Sequence, residues 1–265
     1  MSEVVAIDTE FERRKTYRPI LSIVQLKKNN DETIIYDVYR HKNKDLTDLI
    51  EILRNNNVVK IIHSARQDVE AIFYRFNIAM KNIFDTQLAY KYLKFNQKKN
   101  AEIGYSTLVK EFCNIDINKS KTLQKSNWLK RPLTEQQLKY AKLDVEYLYE
   151  IYLKMNNLFD KTGNDYKQFM AECRILENES NYTFNPKLFW HKISHKFRNY
   201  PNYHFIQKLF LLREKLAFKA NIPREFVISH SDLINFAQTG NIQDLKTHFR
   251  IDKKPFLELY WQNNN

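Results

Sequence analysis

The protein is a chain of 265 residues in which 43 basic and 31 acidic side chains give a formal net charge of +12. Three glycines and six prolines exclude collagen-like and low-complexity classes, and 14% aromatic residues argue against disorder. No apolar run reaches the ~18–20 residues of a membrane helix, and no secretory signal is evident. Two cysteines, Cys113 and Cys173, make a poor disulfide framework and have no metal-ligand spacing, so we expect a reduced, cytoplasmic protein.

The first 160 residues alternate between strand-like and helix-like segments. Runs of β-branched and apolar residues predict strands at Val4–Phe11, Ile20–Leu26, Thr33–Tyr39 and Val58–Ile62. Apolar residues at helical spacing predict helices at Asp45–Arg54, Arg66–Phe76 and Thr86–Leu93. The spacing of Thr134 and Gln137 fits a capping box that opens a longer helix, reaching to about Asn156. This order predicts an α/β domain with a mixed sheet.

After Asp160 the strand signal ends, and Gly163 and Asn164 mark a plausible boundary. The remaining chain has apolar residues at helical spacing, interrupted by Pro223 and Gly240. Short helices are predicted at Asp165–Glu177, Pro186–Phe197, Tyr203–Lys219, Ser231–Gln238 and Gln243–Arg250. The second half is therefore expected to be all helical.

Four acidic residues and a tyrosine form the candidate site. Asp8 and Glu10 lie two residues apart on the first strand, so both side chains leave the same face. Asp68 follows a central strand, and Tyr140 and Asp144 share one face of the long helix. Each signal is weak alone, but together they form an oxygen-only set that suits Mg²⁺ or Mn²⁺. Two such ions can flank a phosphodiester during its displacement. The net positive charge of the chain agrees with a nucleic-acid substrate for such a site.

Three motifs resemble the ribonuclease D family, within the DEDD superfamily of 3′→5′ exonucleases that carry a tyrosine in the third motif. The first is Asp8-Thr9-Glu10-Phe11, followed by an R-x-x-T-Y-x-P match from Arg13 to Pro19. The second motif comprises residues 63–68 and 84–89, and the third comprises residues 140–145. Between them, residues 126–128 and 131–133 match the family's S-D-W and R-P-L segments, except that Asn127 stands where Asp is common. Family members usually have a strand and a helix before the first motif, whereas three residues precede Val4 here, so we expect either a truncated chain or a misplaced start site.

The resemblance implies an α/β fold, a ribonuclease H-like mixed sheet with flanking helices, followed by a small all-α HRDC-like domain. The expected division is an exonuclease domain over residues 1–160, a helical connector over 161–200 and the HRDC-like domain over 201–265. The match to HRDC lies between Phe210 and Ala237. Family members commonly carry two such modules, and this chain has room for one.

The resemblance also implies roles for the acidic residues. Asp8 is expected to approach both metal ions, Glu10 and Asp144 to hold the ion beside the nucleophile, and Asp68 to hold the second through water. Tyr140 is expected to orient the attacking water. Asp85 belongs to a matching motif but is not a ligand in the family, so a structural role is expected for it.

Contacts with substrate are expected from Thr9, Phe11, His63 and Arg131. His63 could also face the metal site as a hydrogen-bond donor to its ligands, and a satisfied core histidine is an equal alternative. Phe11 and Trp128 are candidate stacking surfaces for terminal bases, although core packing is favoured for Phe11. Two basic stretches are candidate phosphate contacts, namely Lys119, Lys121, Lys125, Lys130 and Arg131, and Lys91, Lys94, Lys98 and Lys99.

The function implied is a metal-dependent 3′→5′ exoribonuclease that trims tRNA precursors and other small structured RNAs with two divalent cations, and it implies no membrane partner. Two alternatives stay open: a DNA 3′→5′ exonuclease, and a non-catalytic scaffold that binds nucleic acid. Nucleophilic serine or cysteine chemistry lacks its motifs, and three glycines are too few for a phosphate-cradling loop of the P-loop kind.

Overall fold

A computed structural model describes residues 3–29, 31–94, 103–246 and 251–264. The chain divides into two compact units, Met1–Glu12 with Pro19–Tyr182, and Arg13–Arg18 with Thr183–Asn265. Among the helices in these ranges, none combines the length and the apolar character needed to cross a membrane.

The first unit is built on a five-stranded mixed sheet in the order β3-β2-β1-β4-β5. Its strands are β1 Val4–Glu12, β2 Ile20–Lys28, β3 Ile34–Tyr36, β4 Val59–Ile62 and β5 Ile83–Asp85. The first three pair antiparallel, and β1, β4 and β5 run parallel to one another. The predicted mixed sheet is thus confirmed.

Helices cover both faces of the sheet. They are α1 Thr47–Arg54, α2 Arg66–Phe76, α3 Thr86–Lys94, α4 Tyr105–Cys113, α5 Lys121–Gln124, α6 Glu135–Glu146, α7 Leu148–Leu158 and α8 Asn164–Leu176. Alternate residues of β1 enter different cores, because Val5 and Ile7 pack with α1 and α2 whereas Ala6 packs with α3, α4, α7 and α8.

Five elements of this unit differ from the sequence-based expectation. The helix predicted to run from Thr134 to Asn156 is two helices, because Tyr147 leaves the helical conformation at φ −107° and ψ 1°. The third strand covers Ile34–Tyr36 rather than Thr33–Tyr39, and β5, α4 and α5 were not predicted. The unit extends to Tyr182, beyond residue 160, because Phe169 and Cys173 of α8 are buried in the core with α3 and α7.

The second unit is helical, as predicted. Its helices are α9 Pro186–Ile193, α10 Tyr203–Ala220, α11 Arg224–Val227, α12 His230–Thr239 and α13 Lys254–Asn264. Gly240 ends α12 in the left-handed conformation at φ 67°, where an added Cβ would collide with the Tyr260 hydroxyl. The helix predicted at Gln243–Arg250 is a single turn at Ile242–Asp244 in its described part, and residues 247–250 lie outside the described ranges.

The segment Arg13–Arg18 belongs to this helical unit although it joins β1 to β2. The Tyr17 hydroxyl donates to Oε2 of the buried Glu214 at 2.8 Å, and the Arg18 backbone N–H donates to Asn221 Oδ1 at 2.7 Å. The R-x-x-T-Y-x-P stretch is thus anchored on α10 and its C-terminal cap. The tyrosine of this motif supplies the hydroxyl that bonds to the buried Glu214.

Candidate functional site: a carboxylate cluster on the sheet

The first strand places two carboxylates on one face of the sheet. Asp8 lies opposite Gln25 of β2 and Glu10 lies opposite Ile23, so both acidic side chains share a face as the sequence predicts. The β1–β2 register shifts just after Glu10. Asp144 comes from α6, which packs on this face, and oxygen atoms of Asp8, Glu10 and Asp144 all lie within 4.8 Å of one another.

Several contacts fix α6, and therefore Asp144, on the sheet. Thr134 caps the helix: its side chain accepts from the Gln137 N–H while Gln137 Oε1 accepts from the Thr134 N–H, which is the predicted capping box. At the other end, Glu146 pairs with Lys27 of β2 at 2.6 Å. Helix α6 is therefore held at both ends.

Asp85 holds the segment that carries Asp68. Its buried carboxylate accepts hydrogen bonds from the backbone N–H groups of Ser64, Ala65, Gln87 and Leu88, at 2.8 to 3.3 Å. These bonds fasten the turn before α2 to the start of α3, and Asp68 lies in the first turn of α2. The expected structural role of Asp85 is supported by these contacts.

Asp68 flanks the three-carboxylate cluster. The Thr9 hydroxyl donates to Asp68 Oδ1 at 2.5 Å, which ties α2 to the strand that carries Asp8 and Glu10. Burial raises the pKa of the Asp68 carboxyl to about 7. Thr9 thus has a positioning contact, and its direct contact with substrate stays a prediction.

Mutual repulsion marks the cluster. Burial raises the pKa of Asp8 well above its ordinary value, and the charges of Asp144 and Asp68 raise it further. Burial also raises the pKa of Glu10, and its three carboxylate neighbours add to this effect. Burial and neighbouring acids therefore disfavour ionisation of Asp8 and Glu10, and a bound cation would relieve that cost.

One ammonium group already reaches the cluster. Lys119, in the segment between α4 and α5, forms an ion pair with the Asp144 carboxylate. Its Nζ also lies 4.9 Å from the ring centroid of Tyr105 and 5.3 Å from that of Tyr140. Sequence reasoning placed Lys119 in a basic stretch for phosphates and missed this contact, because a run of lysines does not show which of them pairs with a distant acid.

Tyr140 and His63 lie beside the carboxylates in uncharged forms. Burial and then the charges of Asp144 and Glu10 raise the pKa of the Tyr140 hydroxyl, so the phenol keeps its proton. Burial followed by the charge of Lys119 lowers the pKa of His63 to about 4, and its Nδ1 lies 3.0 Å from the Thr86 hydroxyl. Both residues thus act as neutral hydrogen-bonding groups near neutral pH.

Arg131 is occupied by protein acceptors. Its guanidinium makes two hydrogen bonds of 2.7 Å to the Asp37 carboxylate, and others to the Ser22 hydroxyl and the Trp128 carbonyl. Only 6% of its side chain is exposed. These contacts support a role in holding residues 128–131 on β2, and a contact with substrate stays a prediction.

The aromatic residues divide in a similar way. Phe11 is partly buried against the core with α1 and α2, which agrees with the packing role favoured for it, and its contact with substrate stays a prediction. Trp128 is 2% exposed and packs on Tyr140 at 6.1 Å between ring centroids. The stacking role considered for Trp128 is therefore wrong, because its buried ring packs against Tyr140 of α6 and is not accessible to a base.

The second basic stretch is partly engaged elsewhere. Lys91 pairs with Glu172 at 2.7 Å and Lys94 with Glu111 at 3.4 Å, while Lys98 and Lys99 lie outside the described residues. These ion pairs are contacts within the first unit rather than evidence for phosphate binding.

Gln25 is a second residue that sequence reasoning missed. It is fully buried, it lies opposite Asp8, and neither polar atom of its amide has a partner among the described protein groups. A glutamine within an apolar strand gives no separate signal. An orphaned amide beside clustered carboxylates fits a site completed by a cation and its water, and an oxygen-only donor set fits Mg²⁺ or Mn²⁺.

Comparison with known proteins agrees with this geometry. The sequence profile of the 3′-5′ exonuclease family matches residues 1–160 of the chain, which is more than half of its length. The chain belongs to the 3′-5′ exonuclease family. The predicted resemblance to ribonuclease D is also confirmed, because ribonuclease D of Bartonella henselae is 32% identical over 248 residues. That alignment covers 92% of this exonuclease-family chain and 59% of the relative, so the chain spans about three fifths of the relative's length.

Solved structures share the exonuclease fold. Escherichia coli RNase D, described as an exoribonuclease involved in structured RNA processing, superposes with a TM-score of 0.85 at 24% identity, over 99% of this chain and 70% of that chain. NrnC of Brucella melitensis with bound Mg²⁺ gives a TM-score of 0.56 at 23% identity, over 71% of this chain and 87% of that chain. At these identities the likeness shows the fold.

Proposed function

We propose that this chain is a metal-dependent 3′→5′ exoribonuclease that hydrolyses phosphodiester bonds from RNA 3′ ends. One observation carries the proposal: Asp8, Glu10 and Asp144 bring oxygen atoms within 4.8 Å of one another, on a 3′-5′ exonuclease fold. Asp68 flanks these three carboxylates, and Tyr140 lies one helical turn from Asp144.

Asp8, Glu10, Asp68 and Asp144 are the residues that would hold two divalent cations, Mg²⁺ or Mn²⁺. Bound there, such ions lower the pKa of water and neutralise the charge that develops on a phosphoryl group. The bound Mg²⁺ in NrnC of Brucella melitensis, which shares the fold, supports the choice of metal. The raised pKa values of Asp8 and Glu10 support it independently, because a cation there stabilises both carboxylates.

The other residues orient and hold. The protonated Tyr140 hydroxyl can donate to an oxygen nucleophile without taking its proton, so its role is orientation. Thr9 holds Asp68 against β1 through its hydrogen bond. The neutral His63 packs next to Tyr105, with 5.8 Å between the ring centroids. In this scheme no side chain acts as a strong base.

RNA is the proposed substrate class, and 3′ extensions of tRNA precursors and other small structured RNAs are the proposed targets. The ribonuclease D relatives support RNA, and the net charge of +12 supports a polyanionic partner. We extend the proposal to an HRDC-like helical module over 201–265, joined through 161–200 to the exonuclease domain over 1–160, in a cytoplasmic protein. A separate helical unit supports a C-terminal helical module, although that unit begins at Thr183 rather than at residue 201 and the first unit extends to Tyr182.

The test uses a 5′-labelled RNA with a single-stranded 3′ tail beside its DNA equivalent, each with Mg²⁺, with Mn²⁺ and with EDTA. We expect a metal-dependent ladder on RNA that is absent with EDTA and in Asp8→Asn. A ladder on DNA alone would replace the proposal with a DNA 3′→5′ exonuclease. Binding without any shortening, in all metals, would leave a non-catalytic scaffold.

A further inference from the structure

Lys119 occupies an unusual position for a lysine of an RNA-binding surface. Its side chain is 26% exposed, it forms an ion pair with the 5% exposed Asp144, and it lies over the rings of Tyr105 and Tyr140. The same ammonium lowers the pKa values that burial has raised for Asp8 and Glu10. It is therefore a counter-ion for the whole cluster rather than for one acid.

We propose that Lys119 is a built-in placeholder cation, which neutralises the carboxylate cluster in the metal-free protein and is displaced when divalent metal binds. The inference rests on the proposed function, because it requires that Asp8, Glu10 and Asp144 hold metal. Lys119 then sets the metal affinity of the site and acts as a positioning residue rather than a catalytic one.

The physical argument is competition for the same oxygens. A carboxylate of Asp144 paired with an ammonium has to give up that contact before it can serve a divalent ion, and the lost ion pair is subtracted from the free energy of metal binding. Clustered acids without any counter-ion would instead repel one another and destabilise the metal-free fold. The lysine thus exchanges some metal affinity for stability of the metal-free protein.

The segment that carries Lys119 is suited to such an exchange. Residues 114–120 join α4 to the four-residue α5 without regular secondary structure, so the side chain can withdraw while α4 and α6 keep their places. Ser120, the next residue, caps α5 by accepting from the Leu123 N–H at 3.3 Å, which anchors the segment just after the lysine.

Two variants test the affinity. Lys119→Met keeps the length of the side chain and removes the charge, and Lys142→Met removes a charge from an exposed position of α6, two residues before Asp144. We expect the Kd for Mn²⁺, measured by electron paramagnetic resonance on the full chain, to fall about tenfold in Lys119→Met and to stay within about twofold in Lys142→Met. The metal-free Lys119→Met protein should melt at a lower temperature than the parent.

The displacement itself is measured without any variant. Brief acetylation of the parent chain, quantified by mass spectrometry, should label the Lys119 amine several-fold faster with saturating Mg²⁺ than with EDTA, while labelling of Lys142 stays constant. Unchanged labelling of Lys119, or an equal or weaker Mn²⁺ affinity in Lys119→Met, would overturn the inference and leave the metal site intact. Failure of the parent chain to bind Mn²⁺ at all would overturn the proposed function as well. If Lys119→Met does not fold, Lys119→Gln takes its place.

Discussion

Two groups of buried acid in the first unit are satisfied in opposite ways. The Asp85 carboxylate accepts four backbone N–H groups and holds the ends of two helices. Asp8, Glu10 and Asp144 face one another instead, and one ammonium group, that of Lys119, pairs with Asp144. An acid that the protein satisfies by itself is structural, whereas acids that repel each other at the cost of stability point to a ligand that is positively charged.

The largest expected effect is the loss of hydrolysis when a carboxylate of the cluster is replaced. Glu10→Gln keeps the shape of the side chain and removes one metal ligand, so single-turnover hydrolysis of RNA should slow by at least about 10²–10³-fold. The metal-free protein should be as stable as the parent or more stable, because burial and three acidic neighbours disfavour the Glu10 charge. Thermal melting in EDTA checks the second part, and a clear loss of stability would remove the contrast with Asp85.

Asp85→Asn is the matched change on the structural side. The carboxylate accepts hydrogen bonds from backbone N–H groups with both oxygens, whereas an amide would turn a donor NH₂ group toward some of them. We therefore expect the free energy of unfolding to fall by about 2–3 kcal/mol. The hydrolysis rate of the folded protein should stay within about threefold of the parent at a temperature below both melting transitions. Urea unfolding measures the first quantity. Loss of activity with unchanged stability would make Asp85 part of the metal site.

Sequence patterns captured the parts of the fold that rest on local periodicity. The helix Arg66–Phe76 was predicted with its exact ends, and the capping box at Thr134 was found in the structure. Strand β5 has three residues, which is too few for a period to show, and the break at Tyr147 depends on packing that the sequence does not display.

The candidate site was predicted to a similar depth. Alternation placed Asp8 and Glu10 together, and helical spacing put Tyr140 beside Asp144. Contacts between distant segments were not accessible: Lys119 with Asp144, Arg131 with Asp37, and the burial of Trp128 each join residues whose proximity only the fold creates.

A smaller effect is expected from Tyr140→Phe, which keeps the ring that packs on Trp128 and removes the hydroxyl. A neutral hydrogen bond contributes about 0.5–1.5 kcal/mol, so the single-turnover rate should fall by up to about tenfold. The Kd for Mn²⁺ should not change, since the phenol is not a proposed ligand. An unchanged rate at saturating Mg²⁺ would remove the orienting role.

An effect of similar size concerns pH and Asp37, an acid that belongs to neither group. Burial alone would raise the pKa of Asp37, but its hydrogen bonds to Arg131 and to the Arg40 backbone N–H, together with the positive charges of Arg131 and His41, outweigh this and lower it. A lowered folded pKa gives stability that is complete above the ordinary Asp value of about 3.9 and is lost as pH falls through the folded value.

Asp37→Asn should therefore reduce the free energy of unfolding by about 1.5 kcal/mol near pH 7, and this difference should shrink toward pH 3. Urea unfolding of the parent and the variant at both pH values measures it. A difference that does not depend on pH would show that the Asp37 charge contributes nothing to the contact with Arg131.

The most direct measurement is anomalous diffraction at the manganese edge from crystals of the parent chain equilibrated with Mn²⁺. We expect anomalous peaks within ligand distance of Asp8, Glu10 and Asp144, together with movement of Lys119 away from Asp144. Peaks only at other carboxylates, or none at saturating Mn²⁺, would contradict the claim that these repelling acids form a metal site.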